Sequence, residues 1–263
     1  MYFDGRTDMG EIKGHEMDAM PPVISLVGVF GSEGIRAQWS LWACQRMRRW
    51  TAFHGLSVQL VVVLDRPDYD TRRIVNEHPA LQPTDRLLEV EHGDLSLARN
   101  AGIGLAEGEC LGIFDGDSYC SANWLVEAQR VVRRCGGRVV VHPEYLLHHD
   151  QAFSYARCID QLVDAYSSAS CFKSYPWGAM VFARREVFEA VPYQPVFTEQ
   201  TGFAFPDWHW GLEVIASGRA HTLASGTAAF CRGAPEALPV QRKGTAGVPR
   251  PGVFFSRHLS EVG

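Results

Sequence analysis

The triplet Asp115-Gly116-Asp117 closes the apolar run Leu111-Gly112-Ile113-Phe114. Two carboxylates on either side of a residue without a side chain can present oxygens to a hard divalent cation such as Mn2+ or Mg2+ with nothing blocking the approach. A diphosphate needs such a cation, because charge builds on it when the bond to phosphate breaks and the metal neutralises the leaving group. Asp and Gly are also common turn residues. Here, though, the triplet ends a strand-like run instead of joining two polar loops, and that position argues for a site.

Other groupings carry less. Gly102, Gly104 and Gly108 lack dinucleotide-loop spacing and fall within or after a helical stretch, so they read as structural. His148-His149-Asp150 offers ligating side chains but no third ligand at helical or hairpin spacing. The seven cysteines (Cys44, Cys110, Cys120, Cys135, Cys158, Cys171 and Cys231) are odd in number and include no C-x-x-C pair. They argue against a disulfide framework and fit a reducing cytoplasm. A formal net charge of -5 argues against the basic face that nucleic acid requires. Met1 to Met20 contains no apolar signal region, and no apolar run approaches the ~20 residues of a membrane span. Association with a membrane surface is compatible with both facts.

The elements that must position the acidic turn follow from the apolar pattern. With 263 residues, 46% of them hydrophobic, the chain can build one sizeable core. A polar leader, residues 1–22, ends at Pro21-Pro22, and Val23 to Phe30 reads as a strand buried on both faces. Ile35 to His54 reads as a helix with Trp39, Trp42, Ala43, Met47 and Trp50 inward and Gln38, Arg46, Arg48 and Arg49 outward. Val58 to Leu64, Leu87 to Val90, Cys110 to Phe114 and Arg138 to Val141 read as strands, and Met180 to Ala183 is a short apolar run. Helices are expected over Asp70 to His78, Ser96 to Ala106, Asn123 to Arg134, Ala156 to Tyr166 and Trp208 to Ser217. Strand alternating with helix predicts a parallel sheet with ligands at the carboxyl ends of its strands. The last thirty residues read as a tail able to fold over a site, its Arg242, Lys243, Arg250 and Arg257 either closing on a diphosphate or facing solvent.

Several of these stretches together resemble a family. Ser96-Leu97-Ala98-Arg99-Asn100-Ala101-Gly102, then Glu107-Gly108-Glu109, then Phe114-Asp115-Gly116-Asp117 is similar to the "ARN-x-G … A-x-G-x … DxD" core of family-two glycosyltransferases with the GT-A fold. Val61-Val62-Val63-Leu64-Asp65 with Asp70-Thr71 resembles that family's second-strand loop. Trp177-Gly178-Ala179 with Arg184 to Phe188 resembles its donor-sugar segment, and Phe205-Pro206-Asp207-Trp208 its catalytic acidic element. The ordered match runs from Val23 to Arg232, the expected extent of the domain, with 233–263 as tail.

The resemblance implies an α/β GT-A domain, a Rossmann-like fold with a mixed, mainly parallel sheet flanked by helices. It implies inverting, metal-dependent transfer of a hexose-type sugar from a UDP- or GDP-sugar to a hydroxyl of a glycan, a lipid-linked molecule or a small molecule. Asp65 would contact the nucleoside, Arg99, Asp115 and Gly116 the nucleotide, and Trp177 and Gly178 the donor sugar. Asp115 and Asp117 would hold the metal, and Asp207 would deprotonate the acceptor. His209 is a second candidate base, and the face of Trp208 or Trp210 could stack on a sugar ring.

Four positions depart from the family pattern. Gly28-Val29-Phe30-Gly31 ends the first strand, Leu64 replaces an acid, Pro206 replaces Glu, and Cys231, followed by Arg232, stands where the family has a late His. A thiolate suits Mg2+ poorly. The third metal position therefore lies open between Cys231, His221, His258 and water. Rival readings are a binding protein of the same fold without turnover, and a nucleotidyltransferase. The second lacks its usual basic cluster, since Gly31-Ser32-Glu33-Gly34 follows the first strand.

Overall fold

The computed structural model describes residues 23–148, 153–167, 171, 174–197, 205–231 and 252–258, without the side chains of 255, 256 and 258. The leader, His149, Asp150, Arg232, Arg242, Lys243, Arg250 and the His258 side chain lie outside that set. In chain order the elements are β1 (Ile24–Phe30), α1 (Ala37–Phe53), β2 (Val58–Asp65), α2 (Tyr69–Glu77), β3 (Arg86–Val90), α3 (Leu95–Leu105), β4 (Cys110–Asp115) and β5 (Tyr119–Cys120). There follow α4 (Trp124–Arg134), β6 (Val139–His148), β7 (Ser154–Arg157), β8 (Val181–Arg184), α5 (Arg185–Ala190), α6 (Pro206–Ala216), β9 (Ala220–Cys231) and α7 (Val253–His258).

The strands form one sheet in the order β3-β2-β1-β4-β8-β6-β9-β5, with β7 paired to β6. β3, β2, β1 and β4 are mutually parallel. The second half is mixed, with β8 antiparallel to β4 and to β6, and β9 parallel to β6. This is the GT-A arrangement. β1 is buried along its whole length because helices cover both faces of the sheet. Ile24, Leu26 and Phe30 pack with Leu41, Cys44 and Met47 of α1, while Val27 joins Ile103 of α3 and Val214 of α6. Each such aliphatic side chain contributes roughly 1.5–3 kcal/mol.

α3 lies unusually close to the sheet. A Cβ at Gly102 would stand 2.5 Å from Val27 Cγ1 and 2.8 Å from Val63 Cγ2, so the glycine permits the approach. The helix starts at Asp94, whose Oδ1 accepts from Ser96 N (2.9 Å) and Leu97 N (3.2 Å).

Three expectations fail here. α1 faces the sheet with Ala37, Leu41, Cys44 and Met47, while Trp39, Trp42 and Trp50 point outward beside Arg46 and Arg49. Close packing on the sheet selects the small and flexible side chains, so the helix has two apolar faces, and only one can be buried. Residues 156–166 are not a helix, because Tyr155 and Ala156 pair with Leu147 and Leu146 of a β6 that runs on to His148. The long β9 is the third miss, for its Ala, Gly and Thr residues lack a strong apolar alternation.

The described part of the tail, α7, packs on α6. Phe254 is fully buried beside Trp208 and Leu212, Glu213 accepts from Val253 N at 3.2 Å, and exposed Arg257 donates to Ala216 O.

Candidate active site

β2, β1 and β4 end side by side, with Phe30 opposite Leu64 and Val29 opposite Asp115. Asp65 and Asp115 thus flank the carboxyl end of β1, where a doubly covered sheet opens to ligands. Asp65 Oδ1 accepts from Gly93 N at 2.9 Å.

The acidic turn is held from three sides. Gly116 N donates to Val29 O (2.8 Å), Ser40 Oγ of α1 donates to Gly116 O (2.7 Å), and Ser118 N donates to Asp115 O (3.0 Å). A Cβ at Gly116 would lie 2.5 Å from Phe30 Cδ1. Gly116, expected at the nucleotide, therefore has its amide and its carbonyl already bonded. Its lack of a side chain serves packing against Phe30.

Arg99 organises the centre. Its side chain is 0% exposed, its Nη1 donates to Asp207 Oδ1 at 2.7 Å, and its Nη2 donates to Asp115 Oδ1 at 2.7 Å. Burying a guanidinium is costly unless it is paired and hydrogen-bonded. Here two carboxylates 92 positions apart in sequence pair its Nη1 and Nη2, one from the end of β4 and one from the first turn of α6, while Nε finds no partner among the described residues. Arg99, expected at the nucleotide, instead lies beneath the surface and ties Asp115 to Asp207. The guanidinium also sits 5.0 Å over the Tyr193 ring. Next to it Asn100 fixes that tyrosine, Nδ2 donating to Tyr193 O (2.7 Å) and Oδ1 accepting from Tyr193 N (3.1 Å).

Pro206 occupies the first turn of α6, where a proline is well placed, and Asp207 follows at the positive end of the helix. Burial raises the Asp207 carboxyl above its ordinary value, Arg99 opposes that rise, and the Asp115 charge adds to it. The Oη atoms of Tyr175 and Tyr193 are enclosed and find no hydrogen-bond partner among the described residues. Both phenols are held protonated, by burial first and with help from the Asp207 charge. Enclosed donors without partners are costly. Neither tyrosine carried a signal in the sequence, because each enters from a loop distant along the chain.

Asp117 accepts from Ser118 Oγ at 3.2 Å. Glu33, on the loop after β1, is pushed up to about 7 by burial, aided by the charges of Asp117 and Asp115. That crowding of negative charge suits a hard cation. Burial first, then the charges of Asp117 and Asp115, push the Cys231 thiol up to about 12. His221 is fully buried, its Nδ1 lies 2.7 Å from His142 Nε2, and its Nε2 lies 3.0 Å from Gly211 O. Among the described residues no group of three or more His, Cys, Asp and Glu could hold a metal.

The aromatic candidates belong to the core. Trp177, expected to line the donor sugar, is 3% exposed, donates to Ile159 O at 2.7 Å, and stacks 4.2 Å from His221. Gly178 makes room for Leu146, which a Cβ would approach to 2.9 Å. Trp208 donates to Cys171 O (2.8 Å) and Trp210 to Val191 O (2.7 Å), and both are buried. Each indole N–H needs a partner when buried, and each has found a carbonyl. His209 lines a different cavity, of about 430 Å³, with Pro192, Glu213 and Arg257.

The sheet order and the helices that cover it define a fold of the GT-A class. The segment 46–163, which holds Asp65, Arg99, Asp115 and Asp117, matches the family model "Glycosyl transferase family 2", and over that segment the chain is similar to family-two glycosyltransferases. Among solved structures, S. aureus TarS 1–349 is similar at TM-score 0.55 and 14% identity over 80% of this chain and 60% of that one. The same protein in complex with UDP-GlcNAc gives 0.58 and 13% over 80% and 58%, and in complex with UDP 0.57 and 14% over 81% and 61%. This chain thus spans about three-fifths of the length of those chains. No curated protein sequence matches it. Among the described residues no helix is long and apolar enough to cross a membrane.

Proposed function

We propose that the chain transfers a hexose-type sugar from a UDP-sugar to an acceptor hydroxyl with inversion of configuration, Asp207 acting as the base. The observation that carries this reading is the Arg99 bridge, which holds Asp207 and the acidic turn in one charge network with both contacts at 2.7 Å. The complexes of TarS with UDP and UDP-GlcNAc favour UDP over GDP as the nucleotide to try first.

In this reading Asp115 and Asp117 would hold Mn2+ or Mg2+, which when bound supplies positive charge for the departing diphosphate. Asp65 lies where the nucleoside would enter. Asp207 takes the proton of the acceptor hydroxyl as that oxygen attacks the anomeric carbon from the face opposite the diphosphate. Its raised basicity favours that transfer.

The test is thermal stabilisation by UDP and GDP, with and without Mn2+, followed by release of UDP from a UDP-sugar. Asp117→Asn is expected to abolish the Mn2+-dependent shift, and Asp207→Asn to keep it while losing turnover at least a hundredfold. Absence of any shift in the wild type would instead support a binding protein that does not use sugar nucleotides.

A further inference from the structure

Among the described residues, the outward face of α1 stays largely exposed. Its exposed stripe contains Trp39, Trp42, Arg46, Arg49, Trp50 and Phe53, with exposures of 52% for Trp39, 44% for Trp50 and 82% for Phe53. At ~100° per residue these six positions fall within a band roughly 100° wide along a helix ~25 Å long. Two neighbouring clefts lie along it. One, of about 420 Å³, is lined by Trp39, Trp42, Arg46 and Tyr119, and the next, of about 600 Å³, by Arg46, Arg49, Trp50, Phe53 and Ala122. α1 contains no Asp or Glu at all, although the chain as a whole carries a net charge of -5.

We propose that this face seats the protein on an anionic lipid surface, with α1 lying in the plane of the headgroups. Tryptophan prefers that level, where its ring is half immersed and its N–H stays hydrated, and arginine beside it meets lipid phosphate. The convex face of one helix fits a plane. A second copy fits poorly, because a two-fold contact sets the same patch against itself and would bring Arg46 and Arg49 toward their own counterparts with no acid on the helix to neutralise them. The same helix holds the acidic turn through Ser40 and Gly116, so docking would set the site at a constant height above the lipid.

The test mixes the purified full chain with phosphatidylcholine vesicles with and without about one-third phosphatidylglycerol, and measures flotation and tryptophan emission. Four of the seven tryptophans, Trp124, Trp177, Trp208 and Trp210, are buried, so a blue shift reports the three on α1. Binding confined to anionic vesicles, with a blue shift and weakening by salt, is expected. Arg46→Gln with Arg49→Gln should weaken it about 25-fold, some fivefold per arginine, and Trp50→Ala with Phe53→Ala should remove the blue shift at unchanged melting temperature. Wild-type protein that ignores anionic vesicles would overturn the proposal. So would variants that bind as the wild type does, or a dimer in solution that the Trp50→Ala, Phe53→Ala variant dissolves. The readout involves no nucleotide, so it stands or falls separately from the transfer reaction.

Discussion

Arg99 is the residue on which most of the site depends. Arg99→Met would leave Asp115 and Asp207 facing each other without a cation, and is expected to cost roughly 2–4 kcal/mol, less than for a fully buried pair because both carboxylates reach solvent. Urea unfolding measures that loss, and transfer activity should disappear even where the protein stays folded. His221 makes a second prediction, of opposite character. Burial depresses it to about 4 from an ordinary value near 6.5, so the unfolded chain takes up a proton between those values and the folded chain does not. Its contribution is complete above about pH 6.5 and is lost as pH falls toward 4. Between pH 7 and pH 5 the loss is about 2 kcal/mol, and the gap in melting temperature between wild type and His221→Gln should narrow accordingly.

At the level of elements, α3 does two jobs, and both can be tested. It packs through Gly102, so Gly102→Ala forces the helix off Val27 and Val63 and should cost about 1–3 kcal/mol. It begins at Asp94, which is 4% exposed and whose Oδ2 also accepts from Val196 N (2.9 Å) and Phe197 N (2.7 Å). Asp94→Ala removes a cap and leaves two further amides without that partner, an expected loss of about 2–3 kcal/mol by denaturant titration. Because 196–197 follow Tyr193, that variant should also loosen the tyrosine above Arg99 and lower turnover more than it lowers nucleotide affinity.

For the whole molecule, the sheet divides the labour. Its parallel half ends in Asp65 and Asp115, while α6, which packs against the same layer through Trp210 and Val214, delivers Asp207. A nucleotide bound by the first half should therefore stabilise the entire fold, and UDP with Mn2+ is expected to raise the melting temperature in proportion to the logarithm of its concentration. The fold class was readable from the sequence because the central strands of the parallel half, β1, β2 and β4, are mostly apolar runs set between helical stretches. β7 and β9 were not, because their pairing with β6 depends on partners distant in the chain and on polar contacts such as Arg157 Nε with Glu144 Oε1 (3.2 Å).

Local pattern determined that this chain builds a covered sheet and sets Asp115-Gly116-Asp117 at the end of a buried strand, since strand burial and turn chemistry are written in neighbouring residues. The tertiary structure alone decided that Arg99 faces inward to join Asp115 to Asp207, that Trp177, Trp208 and Trp210 are packing, and that Trp39, Trp42 and Trp50 are surface. Those outcomes depend on which of two apolar faces the sheet covers and on which buried charge finds a partner, and both are settled only when distant segments meet.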